Sequence, residues 1–277
     1  MMDEDPVKTV NDSVSIVAEV LKAAGDAPQV KEAAGNLGQT AVTLTKAINN
    51  VLLPLAAVNF AFDKARAYYN SKFQQELAEK TKDIPPEHIV EPKASIAGPT
   101  LQGLAFTHEE PNLKEMYLNL LATSMDGRAA SFSHPAFVEI IKQLDSEDAR
   151  LVRITLRSIG AIPVIQIHRI LNASDSYNLL AQHIVDLTDE ATGTPIEDPQ
   201  FPAMVDNWIR LGLVEVNYDR HLTDLDRYSW AEKRPEFLRW VQATHPDEGV
   251  IECRKGIMRR TELGKRFARA VGLIDTP

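Results

Sequence analysis

The sequence contains a single cysteine, Cys253, among its 277 residues. One cysteine excludes an internal disulfide, so no feature of the sequence indicates an oxidising compartment. A secretory signal peptide needs a basic start followed by an apolar run, and residues 1–10 carry three acidic side chains and no such run. We therefore expect a cytoplasmic protein, and its apolar fraction of 44% is typical of a globular one.

Sequence motifs that carry common enzyme chemistry are also missing. The seven histidines include no H-x-x-x-H pair, the spacing that places two metal ligands on one helix face, and no glycine-rich phosphate loop or G-x-S-x-G turn occurs. Cys253 has two basic neighbours, which would lower the pKa of a thiol. Its place in an alternating apolar pattern makes a packed cysteine the commoner explanation. We therefore expect a protein without catalytic activity, cofactor or metal.

Charge is scarce in the N-terminal part of the chain. Residues 33–62 contain one charged side chain, Lys46, and the last 16 of them contain none. A membrane-spanning helix needs about 20 predominantly apolar residues, and three asparagines interrupt this run. We expect a helix buried in a core or in an oligomer interface. The alternative is a segment that enters or lies on a membrane after a conformational change. Val51, Leu55 and Val58 are the candidate interaction residues of this run, and in the membrane alternative charged substitutions at them should abolish its function.

The net charge of −9 is that of a chain that repels nucleic acid and anionic lipid. The charge is uneven, however, because residues 250–277 contain seven basic and three acidic side chains. That segment has a net charge of +4, which leaves −13 for the rest of the chain. These basic side chains could contact a phosphate or a lipid, or they could pair with acidic neighbours on a solvated face. They are Arg254, Lys255, Arg259, Arg260, Lys265, Arg266 and Arg269.

Three segments in the middle of the chain follow one another in a distinctive order. Residues 84–92 (IPPEHIVEP) belong to a proline-rich connector, which is the best candidate for a linker between two halves. Residues 112–126 (NLKEMYLNLLATSMD) and 134–144 (HPAFVEIIKQL) each have the apolar spacing of an amphipathic helix. Proline suits the first position of a helix, so we expect Ser133 or His134 near the cap of the helix that Pro135 begins, with capping as the main role of His134.

Together these three segments resemble the abortive-infection alpha family, and we estimate that the resemblance extends from about residue 41 to the C-terminus. The resemblance implies a role in bacterial defence against phage. In abortive infection, an infected cell stops growing or dies before the phage matures. The family offers no catalytic motif that could be transferred to residues of this sequence.

The C-terminal part of the chain predicts a mixture of helices and strands. Asp145 or Ser146 would cap its first helix, and Thr261 would cap its last. The order of three helices, a strand, a long return, a second strand and a helix resembles a winged helix, with Trp230 and Trp240 in an enlarged wing. The predicted helices cover residues 146–159, 163–171 and 201–211, and the predicted strands cover residues 213–218 and 249–258.

Winged helices often bind DNA through a basic recognition helix. The candidate recognition helix, residues 201–211, has Arg210 as its one basic side chain and also contains Asp206. It is therefore poorly suited to bind the phosphate backbone of DNA, and we favour protein interaction over DNA binding.

These patterns predict a mainly α fold, with an N-terminal helical region and a C-terminal winged-helix-like domain that contains a small β-hairpin. The predicted divisions are residues 1–95, 96–145 and 146–277. We expect a non-catalytic anti-phage protein that acts through a protein partner or a phage component, as a sensor or an effector and as a homo-oligomer. The alternatives are a membrane-acting effector that uses residues 33–62 and a winged-helix DNA-binding regulator.

Overall fold

The computed structural model describes residues 59–171, 176–189 and 191–275, with side chains from residue 63 onward. The chain forms two compact units. The first unit comprises the described residues as far as Leu151 and those from Arg266 onward, and the second comprises Val152–Lys265. Residues 33–58 of the low-charge run lie outside the described residues, so their assignment to a core or an interface stays a prediction. The predicted division into three regions stays a prediction as well.

The described residues form nine α-helices and four β-strands, joined by short 3-10 turns. None of these helices is long and apolar enough to cross a membrane. In chain order the elements are α1 (Asn59–Ser71), α2 (Phe73–Thr81), α3 (Ala94–Thr107), α4 (Pro111–Met125), α5 (Pro135–Ile141), α6 (Ser146–Arg157), β1 (Ile162–Ile170), β2 (Tyr177–Ile184), α7 (Phe201–Arg210), β3 (Val214–Asn217), α8 (Pro235–Ala243), β4 (Val250–Arg260) and α9 (Glu262–Ala270).

Helix α4 packs against α2, α3 and α5 and so forms the centre of the first unit. The apolar face that its sequence predicts is confirmed, because every residue of that face is buried. Helix α3 approaches very closely, since a Cβ atom on Gly103 would lie 2.4 Å from the ring of Tyr117. Glycine at this position therefore allows the two helices to pack. The buried residues of the predicted face are Leu113, Met116, Tyr117, Leu120 and Leu121.

The proline-rich connector is bound to the end of α4 within the first unit. The Val90 amide donates to the Met125 carbonyl at 2.8 Å, and the Gly127 amide donates to the His88 carbonyl at 2.7 Å. The side chain of Ile89, which lies between these two bonds, is buried. The hydrogen bonds and the buried side chain together fix the path of the connector.

The three helix caps that the sequence predicts are confirmed. Nδ1 of His134 accepts a hydrogen bond from the amide two residues later at 3.1 Å. Oδ1 of Asp145 accepts from the amide three residues later at 2.7 Å, and Oγ1 of Thr261 accepts from the amide three residues later at 2.9 Å. Each cap satisfies an amide that has no partner inside its helix, which stabilises the helix by roughly 1 kcal/mol.

The second unit contains a four-stranded antiparallel sheet with the strand order β2-β1-β4-β3. The predicted mainly α fold with a winged-helix-like domain and a small β-hairpin is therefore wrong, because the fold combines helices with an extended sheet. The two predicted strands are confirmed as β3 and β4, although β4 continues to Arg260. The helix predicted over residues 163–171 is in fact strand β1.

The physical reason for this error is the burial of both faces of β1. Successive side chains of a strand point to opposite faces, and Val164, Ile165 and Ile167 are all fully buried. Such a strand has a nearly continuous apolar run, which periodicity alone cannot distinguish from a buried helix. Five of the nine residues of β1 are β-branched, a composition that favours a strand.

One face of the sheet carries an apolar core that is completed by residues 219–248, the segment predicted as an enlarged wing. Its buried members from that segment are Tyr228, Ala231 and Phe237, and Trp230 and Trp240 pack against them. Helix α8 therefore covers the sheet where the sequence predicted a wing.

Cys253 on β4 packs against this core. Burial raises the pKa of its thiol to about 12, and the nearby Lys255 lowers it by less. The thiol is therefore protonated at neutral pH, which makes it a poor nucleophile. The interpretation of Cys253 as a packed cysteine is confirmed.

Candidate interaction site

Strand β2 lies at one edge of the sheet, and in the described part of the chain it pairs with β1 alone. Its sequence, YNLLAQHI, contains no Asp, Glu, Lys or Arg. Natural edge strands usually carry charged residues or proline, which hinder pairing with a strand of another molecule. The side chains of Tyr177 and Leu179 are 49% and 48% exposed. Strand β2 is therefore an unprotected edge to which another strand could add.

The opposite edge of the sheet, β3, is protected. It is only four residues long, and the carboxylate of Glu215 in its middle pairs with Arg259 on β4. A short edge that bears a charged pair opposes strand addition. The contrast singles out β2 as the better docking edge of the two.

Strand β2 departs from regular pairing at two places. Its register against β1 shifts between the partners of Ile165 and Ile167, and again between those of Ile167 and His168. Each shift gives β2 one extra residue, which is the geometry of a β-bulge. His183 lies in the first bulge with a φ of 58°, and it is the one described non-glycine residue with a positive φ. Left-handed backbone costs such a residue roughly 1–2 kcal/mol, so other contacts must offset this strain.

Three hydrogen bonds hold His183 in place. Its Nε2 lies 3.1 Å from Oδ1 of Asp206, and its Nδ1 lies 2.9 Å from the hydroxyl of Tyr218. The backbone amide of His183 also donates to the Tyr218 hydroxyl at 3.0 Å. Because that hydroxyl has one hydrogen, it donates to Nδ1, and Nε2–H donates to Asp206. The three residues, which we call the His183 network, join β2 to α7 and to the end of β3.

The electrostatics of the His183 network favour a neutral imidazole. Burial lowers the pKa of His183, although the Asp206 carboxylate opposes this effect. Burial also raises the pKa of Tyr218 to about 12, so its hydroxyl keeps its hydrogen at neutral pH. These protonation states match the hydrogen bonds described above. At neutral pH the network is therefore a fixed structural link.

A small cavity, which we call the β2 cleft, opens beside this network at the C-terminal end of β2. Its volume is about 180 Å³. A protein cavity of about 150 Å³ can hold a benzene-sized group, so the β2 cleft has room for one aromatic or aliphatic side chain. The apolar residues that line it are Ala181, Ile184, Val185, Leu187, Ile196, Pro199, Phe201 and Pro202.

The wall of the β2 cleft is held by Arg234, which is buried. Its guanidinium donates to the Leu187 carbonyl at 2.9 Å and to the Ile196 carbonyl at 2.7 Å. It also forms a two-pronged pair with the carboxylate of Glu236. Because a planar guanidinium holds all these acceptors at once, it fixes the two sides of the segment that encloses the cleft.

The rim of the β2 cleft carries a second ion pair. Arg239 on α8 lies 2.6 Å from the carboxylate of Glu197. This contact lowers the pKa of Glu197, so that carboxylate stays ionised at neutral pH. The cleft thus combines an apolar interior with a charged rim.

The structure divides the predicted basic cluster. Arg266 and Arg269 belong to the first unit, where Arg266 donates to a backbone carbonyl at 3.4 Å and Arg269 lies 5.6 Å from the centre of a phenylalanine ring. In the second unit, Arg254 pairs with Asp219 at 2.6 Å and Lys255 lies 5.8 Å from the centre of a tyrosine ring. Four of the seven cations therefore have separate contacts within the protein.

The other three predicted cations, Arg259, Arg260 and Lys265, do come together. They line a cavity of about 560 Å³ at the end of β4 and the start of α9, which we call the basic cleft. Arg259 pairs there with Glu215, and Lys265 pairs with Glu262 at 2.6 Å. The predicted acidic neighbours are therefore present for two of the three.

The remaining predicted interaction residues, Val51, Leu55 and Val58, lie outside the described residues. The His183 network, in contrast, was not predicted from the sequence. Asp206 and Tyr218 lie 23 and 35 residues from His183, and no motif links residues at those spacings. Among the residues that the structure describes, no group of three or more His, Cys, Asp or Glu could hold a metal ion.

Comparison with known proteins identifies one family. The family model described as abortive infection alpha matches residues 65–271 of the chain, which is well over half of its length. The match includes all three segments whose order resembled that family, so the resemblance is confirmed. It begins later than the start that we estimated near residue 41. Searches of curated proteins and of solved structures found no significant match.

Proposed function

The chain belongs to the abortive infection alpha family, and we propose that it acts by binding an extended segment of another protein along β2. Membership of the family identifies its general role as abortive infection, which is an antiviral defence. The finer proposal is that the chain contributes recognition and no catalysis. One observation carries it: an uncharged edge strand, which pairs with β1 alone among the described residues, runs directly into an apolar cleft.

Strand addition explains how the two features would work together. An added strand forms backbone hydrogen bonds with the edge of β2, which supply affinity without regard to sequence. A side chain of the added strand can then enter the β2 cleft and supply specificity. Because most of the residues that line the cleft are apolar, a charged side chain would lose its hydration on entering it, whereas an apolar side chain would not. The expected partner segment is therefore extended and uncharged, with one large apolar side chain.

A different protein fits this role better than a second copy of the chain. Each copy has a net charge of −9, which makes the encounter of two copies less favourable than that of the chain with an uncharged or basic protein. If the segment that binds along β2 belongs to a phage component, the chain acts as a sensor of infection. Formation of a homo-oligomer through residues 33–62 is a separate proposal that involves a different part of the chain.

Site-specific photo-cross-linking in infected cells tests the proposal. A photoreactive amino acid replaces Leu179, and cross-linked peptides are identified by mass spectrometry after infection. The expected product joins β2 to a segment of a phage protein with a large apolar residue. In a chain that also carries Ala181→Trp, the added ring fills the β2 cleft, and the cross-link should disappear.

A photoreactive amino acid at Leu225 provides the matched control. Leu225 is 52% exposed, close to the exposure of Leu179, and it does not line the β2 cleft. The same product from both positions, or a product that survives Ala181→Trp, would contradict recognition through β2. A cross-link between two copies of the chain would replace the proposed partner with a second copy.

A further inference from the structure

The basic cleft is a concave site separate from the β2 cleft. Its volume of about 560 Å³ falls within the range of roughly 300–1,000 Å³ that is typical of small-molecule sites. Arg259 and Arg260 at the end of β4 and Lys265 on α9 line it, and Glu215 and Glu262 are the carboxylates among its lining residues. Three cations against two carboxylates leave the cleft positively charged in a chain that is negative overall.

Arg260 carries the charge that is not neutralised. Its Nη1 donates to the Leu156 carbonyl at 2.6 Å, which fixes the direction of the guanidinium. That contact uses one of the five N–H donors of an arginine. No carboxylate of the described residues pairs with Arg260, so the guanidinium is positioned but still able to bind an anion.

The two ion pairs in the cleft could exchange their partners at small cost. Arg259 and Glu215 are both about half exposed, and Glu262 is more exposed than Lys265. Exposed ion pairs of this kind typically stabilise a protein by about 0–1 kcal/mol. Charge-assisted hydrogen bonds from arginine to a phosphate are stronger, and they can be bidentate. A phosphate group could therefore displace the carboxylates of Glu215 and Glu262. It would then bind to all three cations of the basic cleft.

An apolar surface borders the same cleft. Ile159 is 96% exposed and lines it together with the partly buried Ile257. A ligand with an organic part next to its phosphate would remove this apolar surface from water, at about 25 cal/mol for each Å² buried.

We infer that the basic cleft binds a small phosphate ester, with its phosphate held by Arg259, Arg260 and Lys265 and its organic part against Ile159 and Ile257. This inference does not depend on recognition through β2. The same chemistry occurs in a free nucleotide and in the headgroup of a phosphatidic acid. The two sources differ in whether the ligand is dissolved or belongs to a membrane.

Titration calorimetry of the full chain at low ionic strength tests the site, with ATP as the probe. Flotation with phosphatidylcholine vesicles, with and without phosphatidic acid, tests the membrane-bound source. Binding of ATP without flotation indicates a dissolved ligand, and flotation that requires phosphatidic acid indicates a lipid. Either result supports a phosphate ester site. Failure of both the nucleotide and the vesicles to bind would overturn the inference.

The proposed site predicts that some substitutions in the basic cleft weaken ligand binding and that one substitution tightens it. Arg260→Gln and Lys265→Gln should each weaken binding on the order of tenfold, because each removes hydrogen bonds to a charged phosphate. Glu262→Gln should tighten binding, because it releases Lys265 from its carboxylate. A gain of affinity cannot result from misfolding, so this variant keeps the test decisive if the others unfold.

Arg254→Gln is the matched control, since Arg254 lies on the same strand in an ion pair but does not line the basic cleft. It should leave the affinity unchanged. If Arg254→Gln and Arg260→Gln weakened ATP binding equally, the binding would depend only on net charge, and the inference of a specific site would be wrong. Tighter binding of duplex DNA than of ATP would also overturn it, in favour of a nucleic-acid surface.

Discussion

Nε2 of His183 lies 3.1 Å from Oδ1 of Asp206, so a bulged residue of β2 contacts helix α7 directly. The contact connects the shape of the free edge to a helix whose first turn lines the β2 cleft. The edge and the cleft are therefore parts of one structural arrangement, and disturbing the His183 network should alter both.

The backbone of His183 offers a test of that network. Both His183→Ala and His183→Gly remove the ring and its two side-chain hydrogen bonds, but only glycine adopts a φ of 58° without strain. We expect both variants to be less stable than the parent, with the alanine variant about 1 kcal/mol less stable than the glycine variant. Urea unfolding followed by circular dichroism measures the difference. Equal stability of the two variants would contradict a left-handed conformation at this position.

Buried histidines give the chain a defined pH dependence. Burial lowers the pKa of His183, and the Asp206 carboxylate opposes this effect. Burial also lowers the pKa of His168, where Arg254 reinforces the effect and Glu252 opposes it. A histidine with a folded pKa below its unfolded value of about 6.5 binds fewer protons in the native state. Stability therefore rises with pH across that window and is lost as the pH falls below about 6.5.

Thermal unfolding at several pH values measures this effect. The Tm should fall between pH 7.5 and pH 5.5, and the fall should be smaller in His183→Asn. His221→Asn, at an exposed histidine, is the control and should keep the slope of the parent. A Tm that rises as the pH falls over this interval would show that the buried histidines are charged in the native state.

The sequence predicted those parts of the fold that depend on neighbouring residues. Helix α4 was predicted because its apolar spacing repeats over four turns, and the caps at His134 and Asp145 are contacts within three residues. Strand β1 was mistaken for a helix because its hydrogen-bonded partners, β2 and β4, lie elsewhere in the sequence. Local patterns do not contain such information.

The candidate site was predicted even less completely, for the same reason. The basic cluster was recognised from composition, but only the fold separates Arg254 and Lys255 from the three cations of the basic cleft. The His183 network and the β2 cleft combine residues from several elements. A bulge has no reliable sequence pattern, so the positive φ of His183 could not be predicted.

Arg234 should control the enclosure of the β2 cleft. Arg234→Lys keeps the charge but loses the planar fork, so the carbonyls of Leu187 and Ile196 cannot both be satisfied. Breaking this buried network should destabilise the second unit by roughly 2–4 kcal/mol. Hydrogen exchange of the Ile196 amide, which donates to the Leu187 carbonyl, should become faster.

Arg239→Lys at the exposed rim is the control for this change. The Arg239 side chain is 61% exposed, so we expect a loss below about 1 kcal/mol and unchanged exchange at Ile196. Similar losses at the two positions would mean that Arg234 does not fix the enclosing segment.

The packing of α3 on α4 makes a prediction for the first unit. Gly103→Ala would place a methyl group 2.4 Å from the ring of Tyr117, and it should destabilise the protein by about 1–3 kcal/mol. Gly98 lies on the same helix with no atom within 4 Å of an added Cβ. Because Pro99 follows Gly98 inside the helix, a Cβ at Gly98 gains little, so Gly98→Ala should change the stability by less than about 1 kcal/mol in either direction. Equal losses of Tm in the two variants would contradict the close approach of the two helices.

The most direct test of recognition through β2 is a plaque assay with four versions of the chain, at matched expression. Cells with the parent chain or with Leu225→Lys, an exposed control, should be protected against a sensitive phage. Leu179→Lys places a charge on the free edge and Ala181→Trp fills the β2 cleft, so both should abolish protection while their far-ultraviolet circular dichroism stays unchanged. Full protection by these two folded variants would contradict the proposed function.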